Sequence, residues 1–529
     1  MKRCPECRRD YYDDTLSFCL DDGTRLLEGP QNLDNLAKTA ILPSFDVSSQ
    51  AATKLFGSAY APAGSDNSNT IAVLPFLNLS RDEDGDYFSD GLAEELLNVL
   101  AKIRGLRVAA RTSAFAFKGK QMTVIEIGRT LSVASVLEGS IRTAGDRVRI
   151  SVQLVKVADG YQLWSETYDR TMDDIFAVQD DIARSVVEEI RTRLLGEKRS
   201  LQLEKQAGSE VAEAVRGRTS NPEAQRRMLL GRYFLDRTTR EDTTRAIKYF
   251  LEAIELDADF ALCWAELGRA YSIEAGRGWV PVEQAFAGSR DAATRALGLE
   301  PDLAEGHAQM GRIQAVHEWD LKGAEASYRR ALELAPGSSA VLDGASVLFY
   351  KLGRFDKALE LTRQVLAQDP LCAAYWHNLG LMCHAAGLLD DAEKAFRQAL
   401  ELASQRFVSG SMLALVLLDQ GRADDALEFT KNEPDEFWRT WALAIIHHVG
   451  NREKADEALQ KLIDKHSDRN EYQIAEVYAM RNDIDQAFEW LDRAIAERDP
   501  GVTHVKVNPR FETLREDPRW PDRLAKVGF

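Results

Sequence analysis

The sequence predicts a multidomain chain: a small cysteine-bearing segment, an α/β domain, and an all-α solenoid over more than half the length. Three observations predict it. Gly353, Gly387 and Gly421 stand 34 residues apart, and Ala358, Ala392 and Ala426 keep the same interval. A fixed period of this length marks stacked helix–turn–helix units. Residues 69–198 instead alternate short apolar runs with helical spacing, as strands and helices in one layered core do. Three cysteines, Cys4, Cys7 and Cys19, crowd into the first 19 positions.

Composition narrows the function classes. A chain of 529 residues is too long for one core. Its formal net charge of −17 argues against a general nucleic-acid binder, which needs a basic face to displace counterions. No stretch approaches the roughly 20 apolar residues that span a bilayer; the run 412–418 ends at Asp419. The N-terminus MKRCPECRRD is charged and shows no secretory signal. Six cysteines in a chain this long make no disulfide scaffold, so a reduced, cytoplasmic protein is expected.

The first element is a cysteine knuckle. Cys4-Pro-Glu-Cys7 is followed by Cys19-Leu-Asp-Asp22-Gly23, two tight turns of the kind that bring four donors to a tetrahedral metal. Asp22 stands where a fourth cysteine is expected, and carboxylate oxygen is an allowed though harder ligand. Asp21 or water is the alternative fourth donor, and three incidental cysteines the metal-free reading. A redox CxxC would need a βαβ context that is missing here. Residues 1–30 resemble a bacterial zinc ribbon of pattern CPxC…Y…FCxxDG…L, which implies a structural Zn²⁺ held by Cys4, Cys7, Cys19 and Asp22. Thirty residues enclose no substrate pocket. Residues 31–68, rich in Ser, Ala, Gly and Asn, read as a flexible linker.

The α/β domain opens at 71–76, a continuous apolar run that suits a buried strand. Phe88, Leu92, Leu96, Leu97 and Leu100 then recur at helical spacing. A second strand reads at 106–111 and a second helix at 124–131. A β-meander follows at 136–142, 148–157 and 162–168, with Gly145-Asp146 and Asp159-Gly160 as its turns. Ile175, Val178, Ile182, Val186 and Ile190 mark a last amphipathic helix. The runs IAVLPFLNLSRDEDGDYFSDGLAEELLNVLAKIRGLRVAART and LEGSIRTAGDRVRISVQLVKVADGYQLWSETYDR resemble the TolB amino-terminal-like domain, itself similar to FlgO- and CsgG-like modules. The resemblance implies a bacterial signalling or assembly module and carries no catalytic residues over. In relatives it often accompanies a kinase, cyclase or winged-helix regulator and precedes repeats.

Two clusters in this domain bear on chemistry. Asp82, Asp84, Asp86 and Asp90 lie in the loop after the first strand, where an α/β sheet often places a ligand. A solvated loop leading into an acid-favouring helix N-terminus is the preferred reading. Arg111, Arg142, Arg147 and Arg149 would form an anion-binding face if they projected together, with exposed hairpin arginines as the plainer reading. Trp164, Tyr168 and Phe176 read as packing. The phosphate-binding, nucleophile-elbow and kinase signatures are missing. No enzyme is expected.

Residues 199–220 read as a helical linker, 221–500 as seven or eight repeats, and 501–529 as a C-terminal cap over the open face of the last one. Trp376, Leu379, Gly380, Gly387, Ala392, Phe396 and Ala399 occupy the positions of the tetratricopeptide repeat (TPR) pattern. Trp264, Leu267, Gly268 and Tyr271 open an earlier unit, and Pro301, Pro336 and Pro370 stop second helices. Beyond Ala426 the period degrades. The resemblance to TPRs implies a concave groove lined by first-helix residues, here Arg269, Arg312, Asp343, Tyr350, His377 and His384, that holds a protein or peptide. His377 and His384 stand seven apart rather than at the four-residue spacing of a metal pair, so no metal is assigned to the repeats. A protein-binding scaffold or adaptor in bacterial signalling is the leading expectation. A ligand- or nucleotide-sensing regulator acting through the TolB-like domain comes second, and an adenylate-cyclase-related enzyme third.

Overall fold

The computed structural model describes residues 69–529, except 81–84, 104, 145–146, 172–174, 195–200, 238, 278, 404–406 and 468–469. Near the N-terminus it describes three two-residue strands, β1 (Lys2–Arg3), β2 (Asp10–Tyr11) and β3 (Leu27–Glu28), with β1 antiparallel to both others. The expected zinc ligands Cys4, Cys7, Cys19 and Asp22 lie outside the described residues. So do the 31–68 linker, Asp82 and Asp84.

A continuous apolar run suits a strand covered on both faces, and β4 (Thr70–Val73) is buried along its whole length. It pairs in parallel with β6 (Arg107–Val108) and β7 (Ser135–Ala144), and β5 (Leu77–Asn78) continues alongside β7. β7, β8 (Arg147–Lys156) and β9 (Gln162–Thr171) form the expected antiparallel meander, so the order is β6–β4–β7–β8–β9. Strand alternation sends Val148, Ile150, Val152 and Leu154 into the core. Helices α1 (Gly85–Lys102), α4 (Ile175–Glu189) and α5 (Leu201–Ala214) cover that face. Ala207, Val211 and Ala214 of α5 are buried in it, so the stretch expected as a linker belongs to this core. Two short helices, α2 (Arg111–Phe115) and α3 (Val124–Thr130), follow β6, and a reciprocal Thr123–Glu126 capping box starts α3.

Eight helical hairpins follow among the described residues. Their first helices are α6 (Pro222–Leu235), α8 (Ala261–Gly276), α10 (Ala304–Ile313), α12 (Ser339–Lys351), α14 (Ala373–Ala385), α16 (Phe407–Asp419), α18 (Glu436–Gly450) and α20 (Glu471–Met480). Their second helices are α7 (Arg240–Leu256), α9 (Val282–Leu299), α11 (Leu321–Leu334), α13 (Phe355–Gln368), α15 (Leu389–Leu402), α17 (Ala423–Lys431), α19 (Arg452–His466) and α21 (Ile484–Ala496). The repeating glycines have a mechanical reason. Gly353, Gly387 and Gly421 hold φ of 78°, 75° and 78°, the left-handed corner between two helices. Trp319, one period before Gly353, takes the same corner at φ 58° without glycine's freedom. Gly380 serves closeness instead: a Cβ there would come within 2.6 Å of the Phe396 ring.

The sheet region and the repeats share a core. Leu74, Phe117 and Leu131 pack with Leu371, Ala373 and Leu402 from the turns around the fifth hairpin. Ala110 N donates to the Gln368 carbonyl at 2.8 Å, and Ser113 Oγ donates to Asp369 Oδ1 at 2.5 Å. The inter-repeat turns therefore form the edge on which the sheet region sits.

Candidate interaction surface

Successive first helices stand side by side, so their outward residues form one continuous face. The six groove residues expected from the repeat register divide into three settings on it.

Arg269, on α8, joins a charge network against the sheet region. Its Nε donates to Glu266 at 2.8 Å, with Asp236 at 4.0 Å, and its side chain is 40% exposed. Glu266 also accepts from Arg232 at 2.9 Å, and Arg232 turns its other nitrogen to Glu95 of α1. Arg218 reaches the second Glu95 oxygen at 2.8 Å. Arg111 pairs with Glu94 and Asp236. Burial opposes ionisation of Glu266, yet Arg269 and Arg232 hold its carboxyl down to about 2. Arg149 is exposed, as the plainer reading of the hairpin arginines expects, and forms a two-pronged pair with Asp169 across β8 and β9, while Arg111 is spent on carboxylates here. Asp90 of the acidic cluster accepts from Lys118 at 2.7 Å.

Arg312 and Asp343 form the second setting. Arg312 is exposed, and Asp343 is half-buried, accepting from Asn378 Nδ2 at 3.0 Å.

Tyr350, His377 and His384 are buried, each no more than 7% exposed. His377 is enclosed by Ser409 and the Phe396 ring, whereas Tyr350 and the His384–Asp419 pair meet the chain's own C-terminal segment. Beyond α21 it forms two 3-10 turns, Pro500–His504 and Pro509–Leu514, and a short helix, α22 (Trp520–Lys526). It does cover the last hairpin, where Thr513 Oγ1 donates to the Ala479 carbonyl at 2.9 Å. It also runs back across the first helices, beyond the capping role expected of it. The His504 ring lies 5.6 Å from Tyr350, and Arg510 grips Asp419 of α16. His384 Nε2 sits 2.7 Å from the same carboxylate, and His377 Nδ1 lies 2.9 Å from Ser409 Oγ. Arg498 stacks on Trp319 at 4.8 Å and donates to the His317 carbonyl. Val502, Val505, Phe511 and Leu514 fill the interior.

Sequence reasoning missed this segment as a groove occupant and missed the Glu95–Arg232–Glu266 chain. Signals for both exist in the sequence. Arg232 and Glu266 carry opposite charges one period apart, and the tail alternates valines with Asn-Pro-Arg-Phe.

Known families meet the chain at two places. Residues 345–406 match the tetratricopeptide repeat family. Over those residues the helical array is built of tetratricopeptide repeats. Residues 66–185 match the second domain of HilA/YgeH-like transcriptional regulators. Among curated proteins, the putative adenylate cyclase 3 of Rhizobium meliloti is 37% identical over 198 residues, 37% of this chain and 32% of that protein. The cellulose synthase operon protein C of Xanthomonas axonopodis pv. citri is 26% identical over 273 residues, 49% of this chain and 16% of that protein. The chain thus spans a third or less of the length of these two relatives. Among solved structures, Pseudomonas aeruginosa pilF is 19% identical, covering 41% of this chain and 96% of its own, with a TM-score of 0.33. The human IFIT1 dimer with m7Gppp-AAAA is 18% identical, covering 61% and 88%, with a TM-score of 0.37. Among the described residues, no helix is long and apolar enough to cross a membrane.

Proposed function

We propose that this chain is a non-enzymatic scaffold or adaptor of bacterial signalling, binding a protein or peptide partner through its TPRs. One observation carries the reading. The row of first helices already grips two unlike bodies, the sheet region through Arg232 and an extended segment through Asp419. A repeat surface that satisfies both a folded edge and an irregular strap is built for protein recognition. Because the strap fills the face from Tyr350 onward, the partner site is assigned to Arg269, Arg312 and Asp343. Their mixed charge suits a partner with an acidic segment. The test is affinity capture with the full chain, since sheet region and repeats share a core. A partner retained by the wild type and lost from Arg269→Ala and Arg312→Ala supports the site; retention by both variants sinks it.

A second reading, a ligand- or nucleotide-sensing regulator, is favoured by the match of residues 66–185 to a domain of transcriptional regulators. We read residues 69–198 as the TolB-like module, and the mixed sheet with helices on both faces supports this. A ligand that binds only the folded state raises the melting temperature, so a thermal-shift series with nucleotides tests it. The third reading, a cyclase-related enzyme, has only the named relative behind it and would require turnover with ATP and Mg²⁺.

We also infer a structural Zn²⁺ in residues 1–30 with Cys4, Cys7, Cys19 and Asp22 as ligands. Three thiolates and a carboxylate are a workable zinc donor set. Metal content of the purified chain before and after Cys4→Ser checks it. A cytoplasmic location is part of the same proposal.

A further inference from the structure

The two edges of the sheet differ. Beside β6, Ala110 N donates to the Gln368 carbonyl, so the repeats cover that edge. β9 closes the other side. From Gln162 to Arg170 its backbone-to-backbone hydrogen bonds among the described residues all run to β8. Every second residue of such an edge strand turns its N–H and C=O away from its neighbour, a template for another strand. At ten residues, roughly 33 Å, β9 is long for an edge.

Proteins blunt long edges with proline, lysine, a bulge or an inward-pointing charge. β9 reads QLWSETYDRT, without proline, glycine or lysine. Its break in register falls at the hairpin end, between Leu154 and Val155 of β8. Inward charge is the device that remains. Glu166 and Arg170 stand on the core side of the strand, opposite the buried Val152 and Val148. Both are exposed, and neither joins an ion pair among the described residues. Glu166 accepts from the Tyr168 hydroxyl at 3.1 Å, and Arg170 donates to the Asp169 carbonyl at 2.9 Å. About 13 Å of extended chain separates the two, with Tyr168 between them.

We propose that β9 pairs antiparallel with β9 of a second copy of this chain, the two-fold axis passing at Tyr168. Directly opposed residues of an antiparallel pair share a face. With the axis at Tyr168, Glu166 faces Arg170 of the second copy, and symmetry repeats the pair. Thr167 then faces Asp169, and Ser165 faces Thr171, so no like charges are opposed. An axis at Glu166 or at Asp169 would set two carboxylates against each other, which opposes pairing. An axis at Thr167 would leave Glu166 against Tyr168 and Arg170 against Trp164, with neither charge answered by its opposite. The inward charges thus turn away a foreign strand and accept a second copy. This contact uses none of Arg269, Arg312 and Asp343, so it stands apart from the proposed partner site on the repeats.

The test is sedimentation velocity of the full chain from about 1 to 100 µM. The wild type is expected to be dimeric at the upper end. Glu166→Arg and Arg170→Glu each oppose like charges, and each alone should raise the dissociation constant at least about tenfold. An equimolar mixture of these two variants sets arginine against glutamate at both contacts and should regain the dimer. The double variant, with both charges exchanged, should regain it by itself. Both side chains are exposed, so every variant should melt with the wild type, which separates loss of pairing from loss of fold. Three results overturn the assignment. A wild type monomeric throughout leaves the edge to an extended segment of another protein. A dimer that both single variants keep forms elsewhere on the chain. Single variants whose mixture stays monomeric refute the register.

Discussion

Arg510 reaches 91 residues back along the chain to hold Asp419, with its two terminal nitrogens 2.8 and 2.7 Å from the two carboxylate oxygens. His384 touches the same carboxylate from α14. Burial works against the charge on Asp419, but the His384 bond and the Arg510 guanidinium keep its carboxyl below the usual range. This clasp ties the C-terminal segment to the fifth and sixth hairpins. Arg510→Met should cost about 1–3 kcal/mol, less than a fully buried pair because His384 stays on the carboxylate. Urea denaturation monitored by tryptophan fluorescence measures it, and an unchanged midpoint would show the clasp to be idle.

The network at α1 is more deeply enclosed. Removing Arg232 leaves Glu95 and Glu266 facing each other across the interface between sheet region and repeats. Arg232→Met should destabilise by about 1–3 kcal/mol, since Arg218 still holds Glu95 and Arg269 still holds Glu266. Hydrogen exchange should show α1 and α6 losing protection first, whereas the hairpins beyond α16 keep theirs.

Asp369 makes stability depend on pH. Burial raises its carboxyl to about 6, although Ser113 donates to it. The unfolded group titrates near 3.9. A pKa raised on folding contributes stability that is full below the unfolded value and is lost as pH rises through the folded one. Between about pH 4 and pH 6 this group should remove roughly 3 kcal/mol at most. Asp369→Asn should abolish that component and stabilise the chain at pH 7 by about 1–3 kcal/mol, provided the amide oxygen accepts from Ser113. Melting curves of both proteins from pH 4 to 8 give the difference directly; parallel curves would refute it.

Gly380→Ala probes the hairpin seam. The new methyl would meet Phe396 at 2.6 Å, inside a fully buried ring contact. The expected loss is about 1–3 kcal/mol from overpacking. The same change at Gly298, which meets nothing within 4 Å, should be neutral or stabilising.

Much of the architecture was legible because it is local. The 34-residue register of Gly353, Gly387 and Gly421 is a requirement of each helix corner, so it is written where it acts. The strands 136–142 and 148–157 were legible because alternation reflects a single buried face. The register after Ala426 was harder to read since Asn482, not glycine, takes the left-handed corner of the eighth hairpin. Trp319 hides another corner in the same way.

The candidate groove was legible only as a set of positions. The sequence by itself determined the helix pairs, the sheet order's local pieces and which residues sit on first helices, all consequences of short-range periodicity and turn chemistry. Only the tertiary structure decided what those residues face. Tyr350 meets His504, His384 meets Asp419 beside Arg510, and Arg232 meets Glu95 of the sheet region. His384 and Asp419 stand 35 positions apart, about one repeat, whereas Asp419–Arg510 and Arg232–Glu95 span 91 and 137 positions, where no repeat period applies. Such meetings follow from the superhelix bringing the chain's end back past its own earlier turns, and that geometry accumulates from many small packing angles rather than from any one motif.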